Sequence, residues 1–140
     1  MSTTLTTVSN DDLRQVGKVE TLSAAATLTA EESGKLLILS AAAGAQVTLP
    51  AVATSAGFSY KFVVGATFAT TAWTVKAASA VIQGGAIVNS VFVASASRNT
   101  ITFAHAAETV GDTVQLSCDG TNWYVTGVGA SAASITFTTV

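Results

Sequence analysis

Apolar and polar residues alternate with a period of two along most of this chain, the spacing of a strand with one buried face. The clearest case is Thr113 to Asp119, where Val114, Leu116 and Cys118 fall on one side and Thr113, Gln115, Ser117 and Asp119 on the other. Asp119-Gly120 then opens a turn, Asn122 leads out of it, and Trp123 and Val125 share the next apolar side. This predicts a β-hairpin over 112–127. The same period places Phe58, Tyr60, Phe62 and Val64 on one face, sets Trp73 and Val75 against Thr74 and Lys76, and sets Ile101 and Phe103 against Thr100 and Thr102. At the C-terminus Ile135 and Phe137 alternate with Thr136 and Thr138. Leu36 to Ser40 is apolar on both sides, as expected of a central or doubly covered strand. Val47-Thr48-Leu49 runs into Pro50, which has no ladder donor and marks an edge or a strand end. Gly84-Gly85 reads as a tight turn between Val81–Gln83 and a strand over Ala86–Val93.

Helical signals are short. Thr29 followed three residues later by Glu32 fits a capping box, and Gly34 stops the turn it starts. Ser9 and Asp12 give a weaker cap ahead of Leu13 and Val16, so the first residues form one or two helical turns or an extended arm. The runs Ala24–Ala26 and Ala41–Ala43 favour helix by propensity, but an isolated Leu28 and Gly44 leave neither room to grow. The expected fold is therefore all-β, an antiparallel β-sandwich or barrel of about nine short strands. Residues 1–26 are expected to be an N-terminal arm or short helix that contacts a partner, and residues 27–140 a single β domain.

Composition agrees with that class. The 140 residues include only 10% charged positions, against a usual value near 25%. Ala, Thr and Ser dominate the rest, so the exposed surface is made of small and hydroxyl side chains. A net charge of −2 with four lysines offers no counter-charge for a phosphate backbone, which argues against nucleic acid. The opening MSTTLTTVSNDD has neither a basic start nor an apolar core, so no signal peptide is expected. The uncharged stretches Leu36–Tyr60 and Ala77–Ser97 are broken by Gly, Gln, Pro and Asn, and neither reads as a membrane span.

Candidate chemistry is sparse. Cys118 is the single cysteine and reads as a small buried hydrophobe, without an internal disulfide partner. His105 is the single histidine, in a turn between two strands, and any Ser/His/Asp or Cys/His mechanism would have to use it. No serine sits in a G-x-S-x-G elbow, and one His with one Cys is too few ligands for zinc. The adjacent acids Asp11-Asp12 and Glu31-Glu32 suit helix caps better than a catalytic pair. Calcium would have to use Asp112, Asp119 or the N-terminal pair, without an EF-hand pattern. Gly127-Val128-Gly129 followed by Ala132 matches a dinucleotide fingerprint by accident, because a strand follows where a helix should. No catalytic, cofactor-binding or metal-binding residue is assigned. The aromatics carry more information: Trp123 and Tyr124 are consecutive on a strand and point to opposite faces, and Phe92 lies opposite Val91 and Val93. A sheet apolar on both sides is usually covered on both, and a neighbouring subunit is the cover available.

The stretches LTAEESGKLLILSAAAGAQVTLPA, FSYKFVVG and VGDTVQLSCDGTNWYVTG, closing on SITFTT, resemble small structural proteins of tailed bacteriophages. These are capsid decoration (cement) proteins and related head-fibre or tail-fibre modules, and the likeness spans residues 27–138. The resemblance implies a β-rich module, typically a homotrimer, on the outer capsid surface of the virion. It would be made in the host cytoplasm and would bridge subunits of the major capsid protein, with residues 1–26 as the contact arm. It carries no functional residue by name. The expected function is thus capsid decoration without enzymatic activity. The alternative is a head-fibre, tail-fibre or glycan-binding adaptor that uses an exposed aromatic at Tyr124 or Trp73. A generic β-sandwich interaction protein outside viruses, and an enzyme built on His105, are the remaining readings.

Overall fold

Twelve strands form within residues 18–140, the part of the chain that the computed structural model describes. They are β1 (Val19–Leu22), β2 (Ala26–Thr27), β3 (Leu36–Leu39), β4 (Gln46–Thr48), β5 (Ser59–Val64), β6 (Trp73–Lys76), β7 (Ile82–Val88), β8 (Val91–Arg98), β9 (Thr100–Phe103), β10 (Thr113–Cys118), β11 (Trp123–Gly129) and β12 (Ile135–Thr138). A seven-stranded sheet has the order β1-β3-β5-β10-β11-β7-β8, and a five-stranded sheet the order β12-β9-β6-β4-β2.

Both sheets are mixed. The pairs β1–β3, β3–β5 and β7–β11 in the first sheet, and β2–β4 and β4–β6 in the second, are parallel. This corrects the antiparallel expectation. Period-two alternation reports which face is buried and is blind to the direction of the neighbouring strand. From β1 to β6 the chain visits the two sheets in turn, so each connection between parallel neighbours runs through the opposite sheet.

The alternating apolar sides all turn inward. Tyr60, Phe62, Val64, Val114, Leu116, Trp123 and Ile82 of the seven-stranded sheet join Val47, Trp73, Val75, Ile101, Phe103 and Ile135 of the other in one buried cluster. Register explains the layering: Leu37, Phe62 and Val114 lie side by side across β3, β5 and β10. In the second sheet Phe137, Ile101, Val75 and Val47 do the same across β12, β9, β6 and β4. Tyr60 packs its ring 5.6 Å from Trp123, a tilted pair whose geometry adds about 0.5–1.5 kcal/mol to the area it buries. The buried Trp123 Nε1–H has no acceptor among the described residues.

Local signals placed several elements as expected. Thr29 caps a 3₁₀ turn over Ala30–Glu32: Glu32 Oε2 accepts from the Thr29 N–H at 2.6 Å, and Thr29 Oγ1 accepts from the Glu31 N–H at 3.3 Å. These bonds, led by the one from the Thr29 backbone, hold the Glu32 carboxyl below its usual pKa. Gly34 ends the turn at φ +83°. The Tyr60 hydroxyl donates to Thr29 O at 2.7 Å and fastens this turn to the core.

One local expectation is corrected. Gly84-Gly85 is not a turn but lies inside β7, and the strand read over Ala86–Val93 contains the real turn. That turn is Asn89-Ser90, both at positive φ (50° and 66°), which joins β7 to β8 as an antiparallel hairpin. Paired positive φ values match the right-handed twist of the strands, and Asn tolerates them well enough to compete with Gly-Gly for the turn. Within residues 1–26, β1 and the first residue of β2 pair in the two sheets. The candidate cap at Ser9–Asp12 and the acids Asp11-Asp12 lie outside the described residues.

Two outcomes follow from this packing. Leu116→Ala removes a fully buried side chain and is expected to cost about 2–5 kcal/mol in denaturant unfolding, whereas the outward neighbour Gln115→Ala should stay within about 0.5 kcal/mol. Burial, aided by Glu32 and Cys118, pushes the Tyr60 phenol up to about 12 from its ordinary 10.0. The folded state keeps the phenol neutral, so its contribution is complete below pH 10 and is lost as pH rises through about 12. Tyrosinate absorbance should show one phenol ionising in that upper range, and Tyr60→Phe should flatten the accompanying fall in stability.

Candidate interaction surface

The outward face of the seven-stranded sheet is the feature that the core does not account for. Strand register places Thr21, Ile38, Val63, Thr113, Val128, Ile87 and Phe92 side by side, one from each strand, across the full sheet. Every member is β-branched or aromatic and none is charged. Directly opposed residues share a face, so this is a single uncharged row in which five members are apolar and two, Thr21 and Thr113, are threonines. Its middle members Ile38, Val63 and Thr113 are half-buried, whereas Thr21 at one end and Val128 (59%), Ile87 (44%) and Phe92 (61%) at the other are exposed. A second row on the same face runs Val19, Leu36, Lys61, Gln115 and Thr126, and a third runs Ser59, Ser117, Tyr124 and Gln83. Lys61 is the one charge in the three rows.

The five-stranded sheet presents the opposite character. Its outward rows are Thr136, Thr102, Thr74 and Gln46, then Thr138, Thr100, Lys76, Thr48 and Thr27. Apart from Thr100, which is buried with its hydroxyl on Asn99 Oδ1, these hydroxyl and charged side chains need no cover, so the two outer surfaces are chemically unlike.

Backbone detail shapes the protruding half. The register shift opposite Ile82–Gly84 places one extra residue in β8, which bulges beside Ser97 at φ +54°, and Gly84 at φ +109° lies where any Cβ would run into the Val125 carbonyl. At Gly85 a Cβ would stand 2.6 Å from Phe92 Cζ, so the glycine lets the Phe92 ring lean across β7. Gln83 is tied to β8 through Ser97, which its Nε2 reaches at 2.9 Å.

Tyr124 is 46% exposed on this face while Trp123 is fully buried, as their adjacency on one strand requires. The Tyr124 hydroxyl donates to Asp119 Oδ2 at 3.0 Å, and Asp119 Oδ1 accepts from the N–H groups of Thr121 and Asn122, each at 2.8 Å. The backbone bonds, with Asn122 first, hold the Asp119 carboxyl below its usual pKa. Trp73, the other aromatic expected as an exposed platform, is fully buried.

The residues considered for chemistry do not converge. His105 is exposed in the turn after β9. Cys118 is buried on β10, its Sγ accepting from the Gly120 N–H at 3.4 Å. Asp112 is buried with both oxygens occupied: Oδ2 accepts from the Thr109 N–H and Oδ1 from the Ala130 N–H, each at 2.9 Å. It therefore pins the loop before β10 to the end of β11. Glu31 and Glu32 serve the capping turn. Among the described residues no group of three or more His, Cys, Asp or Glu side chains lies where it could hold a metal ion. No helix among them is long and apolar enough to cross a membrane.

Sequence reasoning singled out Phe92 and the two-sided apolarity of β3 but missed Ile87 and Val128 as their neighbours. That link depends on strand register, which sequence does not display. Comparison with protein-family models, with curated proteins and with solved structures finds no match to this chain.

Proposed function

We propose that this chain is a structural protein of a phage virion that decorates the outer capsid surface and stabilises it by bridging major capsid protein subunits. The observation that carries the reading is the uncovered, mainly apolar row on the seven-stranded sheet, a surface suited to packing rather than to chemistry. Its textual counterpart is the likeness of residues 27–138 to capsid decoration and head-fibre proteins. In this reading the two sheets are the layers of a β-sandwich, since their buried residues join one cluster. The protein is not an enzyme, takes no cofactor, and self-associates as a homotrimer, the count that the resemblance implies. Synthesis in the host cytoplasm and final residence on the virion surface belong to the same proposal.

A head-fibre, tail-fibre or glycan-binding adaptor is the second reading. Tyr124 favours it, because this half-exposed ring stands in a row with Ser117 and Gln83. The buried Trp73 gives it no second platform.

The deciding experiment is co-sedimentation of the full chain with mature capsids of its source phage at low and high salt. Decoration through apolar contact gives saturable pelleting that survives high salt, because screening acts on charges and these rows carry one. Free chain left in the supernatant at every concentration would discard the decoration role and bring the adaptor reading forward, to be followed by glycan binding with Tyr124→Ala as the comparison.

A further inference from the structure

We infer that the cleft at the heads of the parallel strands β1, β3 and β5 is a binding site for a small organic carboxylate, held by Lys18 and Lys61 with its carbon body against Val19 and Leu36. The inference goes beyond the decoration reading and does not depend on it.

Positive charge is concentrated there. The cleft measures about 340 Å³, within the range of small-molecule sites. Three of the chain's six Lys and Arg residues line it: Lys18 just before β1, Lys35 just before β3, and Lys61 on β5. No acidic residue is among the described residues that line it. Lys35 is already committed, since its Nζ donates to Glu20 Oε2 at 2.8 Å. Lys18 and Lys61 are exposed, and neither forms an ion pair with a described residue. Two such ammonium groups on one concave surface attract an anion even though the chain as a whole carries a net charge of −2.

The remaining lining decides which anion suits. Phosphate sites draw on free backbone N–H groups at helix N-termini or in nests. Here the Gly34 N–H goes to Ser59 O, that of Lys35 to Glu32 O, that of Leu36 to Lys18 O and that of Lys61 to Lys35 O, while the Ser59 N–H goes to Ser33 Oγ. The donors left to a ligand are side chains: the two ammonium groups, the Ser59 hydroxyl and the Gln115 amide. That set matches the two oxygens of a carboxylate. Val19 and Leu36 lie side by side in register and set an aliphatic surface next to the cations, Val19 being 61% exposed. Gly34 leaves room for a ligand's body, because a Cβ there would meet nothing within 4 Å. A second cleft of about 310 Å³ around Lys76 lacks this combination. It holds one cation, and its Asn99 spends the amide on Val140 O and Oδ1 on the Val140 N–H.

The test is titration of the isotope-labelled full chain with butyrate, followed through backbone amide shifts. Butyrate is expected to shift the Lys35, Leu36 and Gln115 amides saturably. Acetate and butanol, which supply only the carboxylate or only the carbon body, should bind more weakly, as should inorganic phosphate at matched ionic strength. Lys18→Gln and Lys61→Gln should each raise the butyrate Kd about tenfold, the worth of one charge-assisted hydrogen bond. Lys76→Gln, at the other cleft, should leave the Kd unchanged. Gly34→Asn tolerates the positive φ and fills the open space, so it should block butyrate without removing a charge. Unmoved amide signals away from the cleft certify that each variant is folded. Absence of saturable shifts at the three amides overturns the inference. So does butyrate binding that both lysine variants leave intact, or that Lys76→Gln weakens equally. Phosphate binding there more tightly than butyrate overturns the assignment to a carboxylate.

Discussion

Parallel neighbours in a sheet cannot be joined by a tight turn, and the way this chain meets that constraint decides most of its architecture. The usual solution is a helical crossover, which also covers the outside of the sheet. Here the crossovers between β1, β3 and β5 are strands of the opposite sheet, and those between β2, β4 and β6 return the favour. Both sheets are therefore built together from the same stretch of chain, each supplying the connections of the other. Because the crossovers lie on the inner side, no helix among the described residues covers the outer face of the parallel portion.

That absence changes the meaning of the outward side chains. On the five-stranded sheet the outer rows are mainly threonine, with Lys76 and Gln46, and water is an adequate neighbour for them. On the seven-stranded sheet the outer row is Ile, Val and Phe interspersed with Thr, which is the content of a covered face. The low charge of the whole chain fits the same picture, since few charged residues stand guard over β8 or over the row it ends. Polar anchors are spent on loops instead: Asp112 and Asp119 use their oxygens to hold turns at the two ends of β10, and Glu32 closes the turn ahead of β3.

Half of the surface was legible from particular residues. Trp123 and Tyr124 had to point apart, and Phe92 and the strand Leu36–Leu39 showed apolar side chains on both faces. What escaped was the line joining them. Ile87 became the neighbour of Phe92 only because β7 turns at Asn89-Ser90, where the sequence offered Gly84-Gly85 as the more obvious turn.

Residue order by itself determined which positions are buried, because a strand sends successive side chains to opposite faces whatever it pairs with. It also determined the short-range devices, the Thr29–Glu32 capping box and the 112–127 hairpin, whose partners lie within a few residues of one another. Strand direction, sheet order and register were decided only by the tertiary structure. These depend on hydrogen bonds between backbone groups that are chemically alike at every residue, so their choice follows from how the whole core closes. The seven-residue uncharged row is a consequence of that closure: its members are spread from Thr21 to Val128, and no local pattern connects them.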